Sequence, residues 1–377
     1  MVSRLYIHVP FCVKKCHYCA FVSKAAEKAE LAEYPELLRR ELQFRASGDQ
    51  PIDSIYFGGG TPSLLQPHQL ALLLEEINTR TGIAADAEIT LEANPGTVDI
   101  SSLTAFRNCG INRISLGIQS FDDMTLHGLG RIHTAEQSYH AFRDARRAGF
   151  DNISIDLMNS LPGQNLDQWR SELLHAITLL PEHISIYGLT VEEGTPFART
   201  YPENSPKLAD DDLSADMFEL ADELLTQAGF DHYEIANYAR AGYSSRHNSG
   251  YWQRDNCLGL GVAAHSFLRE DHGIRFSNPA TLEEYRDGVL SGALPRIGEQ
   301  RLTENDAMAE YLFLGLRMAK GVKLHDFEQE FGRSLESVYG SVATDLVRFG
   351  LLAQHEGALF LTLRGMLLSN QVFARFL

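Results

Sequence analysis

The chain has 377 residues, with 33 Lys and Arg against 50 Asp and Glu, a formal net charge of −17. At roughly 150 residues per domain, the length suggests two domains, or one barrel-sized domain with an appendage. A content of 44% hydrophobic and 22% charged residues excludes disorder, collagen and coiled coil, and a pI near 5.2 argues against nucleic acid as the main partner, because wrapping a polyanion needs a basic face.

In chain order, strand patterns fall at Leu5 to Val9, Ile52 to Phe57, Glu88 to Glu92, Arg113 to Ile118, Asn152 to Leu157 and His183 to Leu189. Helical patterns lie between them, at Tyr34 to Phe44, Pro67 to Ile77, Ala135 to Ala148 and Leu166 to Leu179, with another from Leu213 to Ala228. Strand and helix alternating at this spacing make parallel βα units. Six units fall short of eight, so the fold class expected is α/β, an incomplete (β/α)6 barrel over residues 1–230 with its chemistry at the C-terminal strand ends.

The regularity stops in a Gly, Ser and aromatic stretch, read as a connecting region over 231–295. The remainder, 296–377, reads as helices at Glu304 to Ala319, Leu324 to Phe331 and Leu335 to Phe349, a hairpin from Leu351 to Thr362 around Glu356-Gly357, and a last helix to Leu377. That is the order of a winged helix, and in an acidic chain it is expected to pack or cover rather than read DNA. No run reaches the roughly 18 apolar residues that span a bilayer. The N-terminus leads into a strand rather than a signal peptide, so a cytoplasmic protein is expected.

Five cysteines do not make a disulfide framework, and three of them, Cys12, Cys16 and Cys19, crowd into eight residues directly after the first strand. Three thiolates on one tight loop can hold three corners of a cubane cluster and leave the fourth iron open. A structural zinc site is the competing reading, but it wants four closed ligands and usually two separated pairs.

C-x3-C-x2-C after strand one of a βα barrel resembles the signature of the radical S-adenosylmethionine enzymes. The chain resembles, over nearly its whole length, the oxygen-independent coproporphyrinogen III oxidase-like family, the HemN/HemW branch. The resemblance implies a [4Fe-4S] cluster on Cys12, Cys16 and Cys19 whose open iron chelates S-adenosyl-L-methionine, which reductive cleavage turns into a 5′-deoxyadenosyl radical. It also implies cofactor contacts from Tyr6 in Tyr6-Ile7-His8-Val9-Pro10, and from Gly59, Gly60 and Thr61 in Gly58-Gly59-Gly60-Thr61-Pro62. Further contacts implied are Glu92, Gln119, Arg131 and Asp156, polar residues at or after the ends of strands three to five. A run without Cβ atoms lets backbone groups approach a ligand closely.

Two departures separate the chain from the oxidase itself. The oxidase pattern has one more Cys two residues after the third, where Phe21 stands here, and residues before the motif that hold a second cofactor and substrate. Arg246-His247-Asn248-Ser249-Gly250-Tyr251-Trp252 matches H-N-x-x-Y-W, carried by the HemW-type haem chaperones. His247 is thereby a candidate haem ligand, with Tyr251 and Trp252 as packing faces for the porphyrin. The implied function is a haem chaperone with haem and haem-accepting apoproteins as partners, no nucleic acid and no membrane span, its cluster gating homodimer formation or haem transfer. The alternative is a radical enzyme, an oxygen-independent coproporphyrinogen III dehydrogenase or a related porphyrin-modifying activity. His265, Cys109 and Cys257 read as structural.

Overall fold

Successive side chains of a strand point to opposite faces, so a strand between a helix layer and a chamber should alternate apolar and polar residues. In a computed structural model, which describes residues 2–45, 50–202 and 205–377, six strands do so. They are β1 (Arg4–Val9), β2 (Ile52–Gly59), β3 (Ile83–Ala93), β4 (Arg113–Gln119), β5 (Ile153–Asn159) and β6 (His183–Gly188), neighbours in that order and all parallel. Leu5, Ile7, Ile55, Phe57, Leu91, Ile114, Leu116, Ile153 and Ile155 are buried in one continuous core. Each such side chain contributes roughly 1.5–3 kcal/mol. The alternate positions carry Tyr56, Glu92, Ser115, Asp156 and Tyr187, which line a common cavity.

Helices α1 (Lys28–Arg45), α2 (Pro67–Thr81), α3 (Ile100–Asn108), α4 (Asp123–Leu129), α5 (Ala135–Arg147) and α6 (Leu166–Leu179) are the outer layer. Thr134 with Gln137 and Asn165 with Gln168 close capping boxes that fix where α5 and α6 begin. Trp169 of α6 is fully buried and donates from Nε1 to Met217 O at 2.9 Å. Trp169→Phe is expected to cost about 1–3 kcal/mol, since it removes that hydrogen bond and leaves a gap where the larger ring was fully buried, and to lower the thermal midpoint without altering the circular dichroism spectrum.

Residues 231–295 are not a connector. Asn237–Ala239 pairs antiparallel with β6 and Asp231–Glu234 lies beyond it. At the other edge Cys257–Leu260 runs parallel to β1, and His265–Leu268, Ile274–Ser277 and Ile297–Arg301 follow antiparallel, which brings the sheet to twelve strands. These strands are three to five residues long, too short for periodicity to register. Because Ile297–Arg301 belongs to the large sheet, the last module begins after it rather than at residue 296.

That module has helices Glu304–Gly315, Leu324–Phe331 and Leu335–Arg348 and the hairpin Leu352–His355 with Ala358–Leu361. Glu356 and Gly357 at its tip both have positive φ, 49° and 75°, as a two-residue turn requires. Val322–Lys323 adds a third strand, so the arrangement is winged-helix-like. The final helix is broken into Leu363–Leu367 and Ser369–Phe373. Ile235 N donates to Arg317 O, Ala319 N to Tyr233 O, and buried Arg254 pairs with Glu310 at 2.9 Å, fastening the module to the sheet. Among the described residues, no helix is long and apolar enough to cross a membrane.

Candidate cluster and cofactor site

The cysteine loop leaves β1 and is held at both ends. Phe11–Cys12 pairs in parallel with Lys24–Ala25, with Lys24 N donating to Pro10 O and Ala26 N to Cys12 O, both at 2.8 Å. Between them His17 N donates to Leu129 O, Phe197 N to His17 O, and the His17 ring bonds Gly128 O through Nδ1 at 3.0 Å. His17 is thereby engaged structurally. Cys12, Cys16 and Cys19, all half-buried, line one cavity of about 530 Å³ at the C-terminal ends of the strands.

The glycines that end and follow β2 have a tighter cause than ligand approach alone. A Cβ on Gly58 would come within 2.9 Å of the Tyr56 ring, one on Gly59 would strike the His8 imidazole, and one on Gly60 would lie 2.6 Å from Phe11 O. Gly59 also has φ +105°, which side chains avoid. Gly60 N donates to Val9 O and Thr61 N to Phe11 O, so this turn is laced to the segment that carries Cys12. Gly59, Gly60 and Thr61 all line the cavity.

Glu92, Gln119, Arg131 and Asp156 converge on the same chamber. Glu92 accepts from the Tyr56 hydroxyl at 2.8 Å and from Gly59 N at 3.2 Å, and burial pushes its carboxyl up to about 7. Asp156, held by Ser115 Oγ at 3.2 Å, is raised for the same reason. Gln119 ends β4 in the left-handed region, φ 69°, and its Oε1 is buried without a partner. Strain and an orphaned acceptor in one cavity residue mark a place kept for a ligand. Arg131 bonds Gly117 O through Nη2 and approaches Cys16 Sγ to 3.5 Å through Nη1. That contact ties Arg131 to the cysteine loop across the chamber.

A carboxyl raised in the fold holds its proton where the unfolded chain, near 4.5, has lost it. The Glu92 contribution to stability therefore falls as pH rises from about 4.5 to about 7 and is flat outside that window. In metal-free protein, Glu92→Gln is expected to flatten this part of the urea stability curve; an unchanged slope counts against the assignment.

The remaining site residues lie elsewhere. Tyr6 does not line the cavity: its ring stacks behind Tyr56 at 6.2 Å and its hydroxyl meets His8 Nδ1 at 3.1 Å. His8 Nε2 contacts Val22 O at 2.8 Å, and because a carbonyl only accepts, that nitrogen carries the proton. Tyr6 thus props the cysteine loop through His8.

His247 departs furthest from the expected ligand role. It is fully buried on the short helix Arg246–Trp252, with Nδ1 on Ser54 Oγ at 2.9 Å and Nε2 on Tyr251 Oη at 3.0 Å. Both ring nitrogens are engaged, and burial with Arg4 and Arg113 nearby lowers the imidazole to about 3. The ring stacks under Tyr56 at 5.1 Å, so the line His247, Tyr56, Glu92 runs from the N-terminal strand ends up to the cavity. Glu88 accepts from Arg246 N and His247 N at the start of this helix. Gly250 has no side chain because Arg4 crosses there on its way to Asp255. Trp252 lies under the Arg317 guanidinium, 4.3 Å from its ring centre, facing the C-terminal module. The motif is the stopper of the barrel floor.

Composition and spacing did not single out Tyr18, Tyr56, Asn94, Ser115, Met158 and Tyr187, which also line the chamber. For Tyr56, Ser115, Met158 and Tyr187 a signal was present: they are the inward positions of their strands.

Comparison with known proteins agrees with this architecture. Residues 6–175 match the model of the radical SAM superfamily and residues 302–368 that of the HemN C-terminal domain. The chain is 36% identical to the haem chaperone HemW of Bacillus subtilis over 99% of its length and 98% of that protein's. It is 37% identical to HemW of Haemophilus influenzae, over 99% and 97%. It also matches the mitochondrial radical S-adenosyl methionine domain-containing protein 1 of Bos taurus, at 36% over 87% and 76%. The solved coproporphyrinogen III oxidase HemN of Escherichia coli superposes with a TM-score of 0.85 at 23% identity, over 99% of this chain and 89% of that one, which establishes the shared fold. The chain belongs to the HemW family of haem chaperones within the radical SAM superfamily.

Proposed function

We propose that the protein is a cytoplasmic haem chaperone that holds a [4Fe-4S] cluster on Cys12, Cys16 and Cys19, S-adenosyl-L-methionine in the adjoining chamber, and haem, which it delivers to acceptor proteins. One observation carries the cofactor part: three thiols share a single chamber with a strained, unpaired Gln119 amide and two buried carboxyls. The residues fit the group. Three thiols, with no fourth Cys and no His among the described residues lining the chamber, suit a cluster with one open iron, and the cluster supplies one-electron chemistry when bound. Glu92 and Asp156 would accept from ribose hydroxyls, Gln119 Oε1 from an ammonium group, and Arg131 would meet a carboxylate. Burial keeps water from competing for these contacts.

Haem as cargo rests on the family, whose members are named for it. The test is anaerobic reconstitution of the cluster followed by hemin titration, with a saturable Soret shift at low micromolar hemin as the expected result. No shift ends the chaperone reading. The complete-looking cofactor chamber favours one second reading, a radical enzyme acting on a porphyrinogen. Reduced protein incubated with coproporphyrinogen III and S-adenosyl-L-methionine decides it: protoporphyrinogen at several turnovers makes the protein an enzyme.

A further inference from the structure

The cysteine loop presents an apolar and basic surface that nothing among the described residues covers. Phe21 is 68% exposed and Val13 54%, with Val22 beside them, although the rest of the loop is tied down. An aromatic ring left in water this close to a cavity costs free energy unless a partner covers it. Lys14 and Lys15 rise from the same loop, and among the described residues neither ammonium pairs with a carboxylate. Lys15 donates only to Phe21 O, at 2.9 Å. In a chain with 50 acidic residues, two adjacent unneutralised lysines beside exposed apolar groups are a local reversal of the surface. Phe21, Lys14 and Lys15 line the mouth of the cysteine cavity, as do Tyr187 and the carboxylate of Glu192, which neither lysine engages.

Building on the haem-carrier reading, we propose that haem docks at this mouth, its macrocycle against Phe21 and Val13 and its propionates on Lys14 and Lys15, and not at His247. The occupant follows from the chemistry. A flat apolar disc with two carboxylates on one edge needs an aromatic face and a pair of cations, and here both stand on one loop. The loop's own imidazole, His17, is turned onto Gly128 O and packs against Gly130, so the docking is by face and charge rather than by an axial histidine. Contact with the loop that carries the thiols gives the cluster a direct route to sense or release the cargo.

The test uses full-length, cluster-loaded protein with matched iron content. Phe21→Ser and Lys14→Glu, each compared with the unmodified protein at matched iron content and saturating S-adenosyl-L-methionine, are expected to weaken hemin binding about tenfold. Hemin dimethyl ester lacks the propionate charges, so Lys14→Glu should leave its binding as in the unmodified protein. Lys14→Glu binding hemin normally, or weakening the ester equally, overturns the propionate assignment. Phe21→Ser without effect, alongside a loss in Trp252→Ala, moves the site to the barrel floor and overturns the proposal. If both loop variants instead lose only their affinity for phosphatidylglycerol vesicles, the patch is a membrane contact and the proposal also falls. Failure of the unmodified protein to bind hemin at all would sink the carrier reading itself, a separate outcome.

Discussion

Replacing Cys12, Cys16 and Cys19 together with alanine is expected to leave the protein colourless after anaerobic reconstitution, with iron and sulfide reduced to background. No other thiol can take over. Cys109 closes helix α3, with Sγ on Phe106 O, and Cys257 is buried beneath Tyr251, its thiol pushed up to about 11 by burial. The loop itself should survive, because its anchors are backbone pairings at Phe11–Cys12 and Lys24–Ala25 and the bonds of His17, none of which uses sulfur. The thermal midpoint of the triple variant should therefore match that of metal-free native protein. Retention of a full complement of iron would mean that the cluster sits elsewhere.

His247→Ala is the second large effect, and it falls on stability. Removing a fully buried ring opens a cavity under Tyr56 and takes one partner each from Ser54 Oγ and the Tyr251 hydroxyl. A loss of this kind is about 3–5 kcal/mol for truncating a large buried ring, while Ser54 Oγ keeps Arg4 Nη1 and the Tyr251 hydroxyl keeps the Cys257 thiol as partners. Denaturant unfolding should show that loss. Affinity for S-adenosyl-L-methionine should also fall, since Tyr56 holds Glu92, while hemin affinity of the folded fraction stays put. A variant of normal stability that has lost its hemin Soret band would instead restore His247 as an iron ligand.

The contrast between these residues shows what a single sequence can convey. The six strands and most of the flanking helices were legible because alternation and capping are local, and the three thiols because their spacing is local too. Glu92, Gln119, Arg131 and Asp156 were singled out by the family resemblance, and all four line the chamber, three from strands and Arg131 from the turn after helix α4. The part played by His247 was not, because its partner Ser54 is 193 residues away, and a histidine between Tyr and Trp looks the same whether its nitrogens are free or engaged. That Tyr6 stands one layer behind the cavity was not legible for a similar reason: the stacking of Tyr56 in front of it depends on register between strands. The extra strands at 231–301 are brief and all but one pair antiparallel, so they repeat no parallel βα unit even though the helices Arg246–Trp252 and Leu282–Ser291 lie among them.

The plugged end of the barrel has a consequence for traffic. With Arg246–Trp252 corking one end, whatever reaches the chamber comes and goes by the rim where the thiols sit. If haem docks on that rim as proposed above, it would close off the nucleotide beneath it, and loading would be ordered: sulfonium first, tetrapyrrole last, departure in reverse.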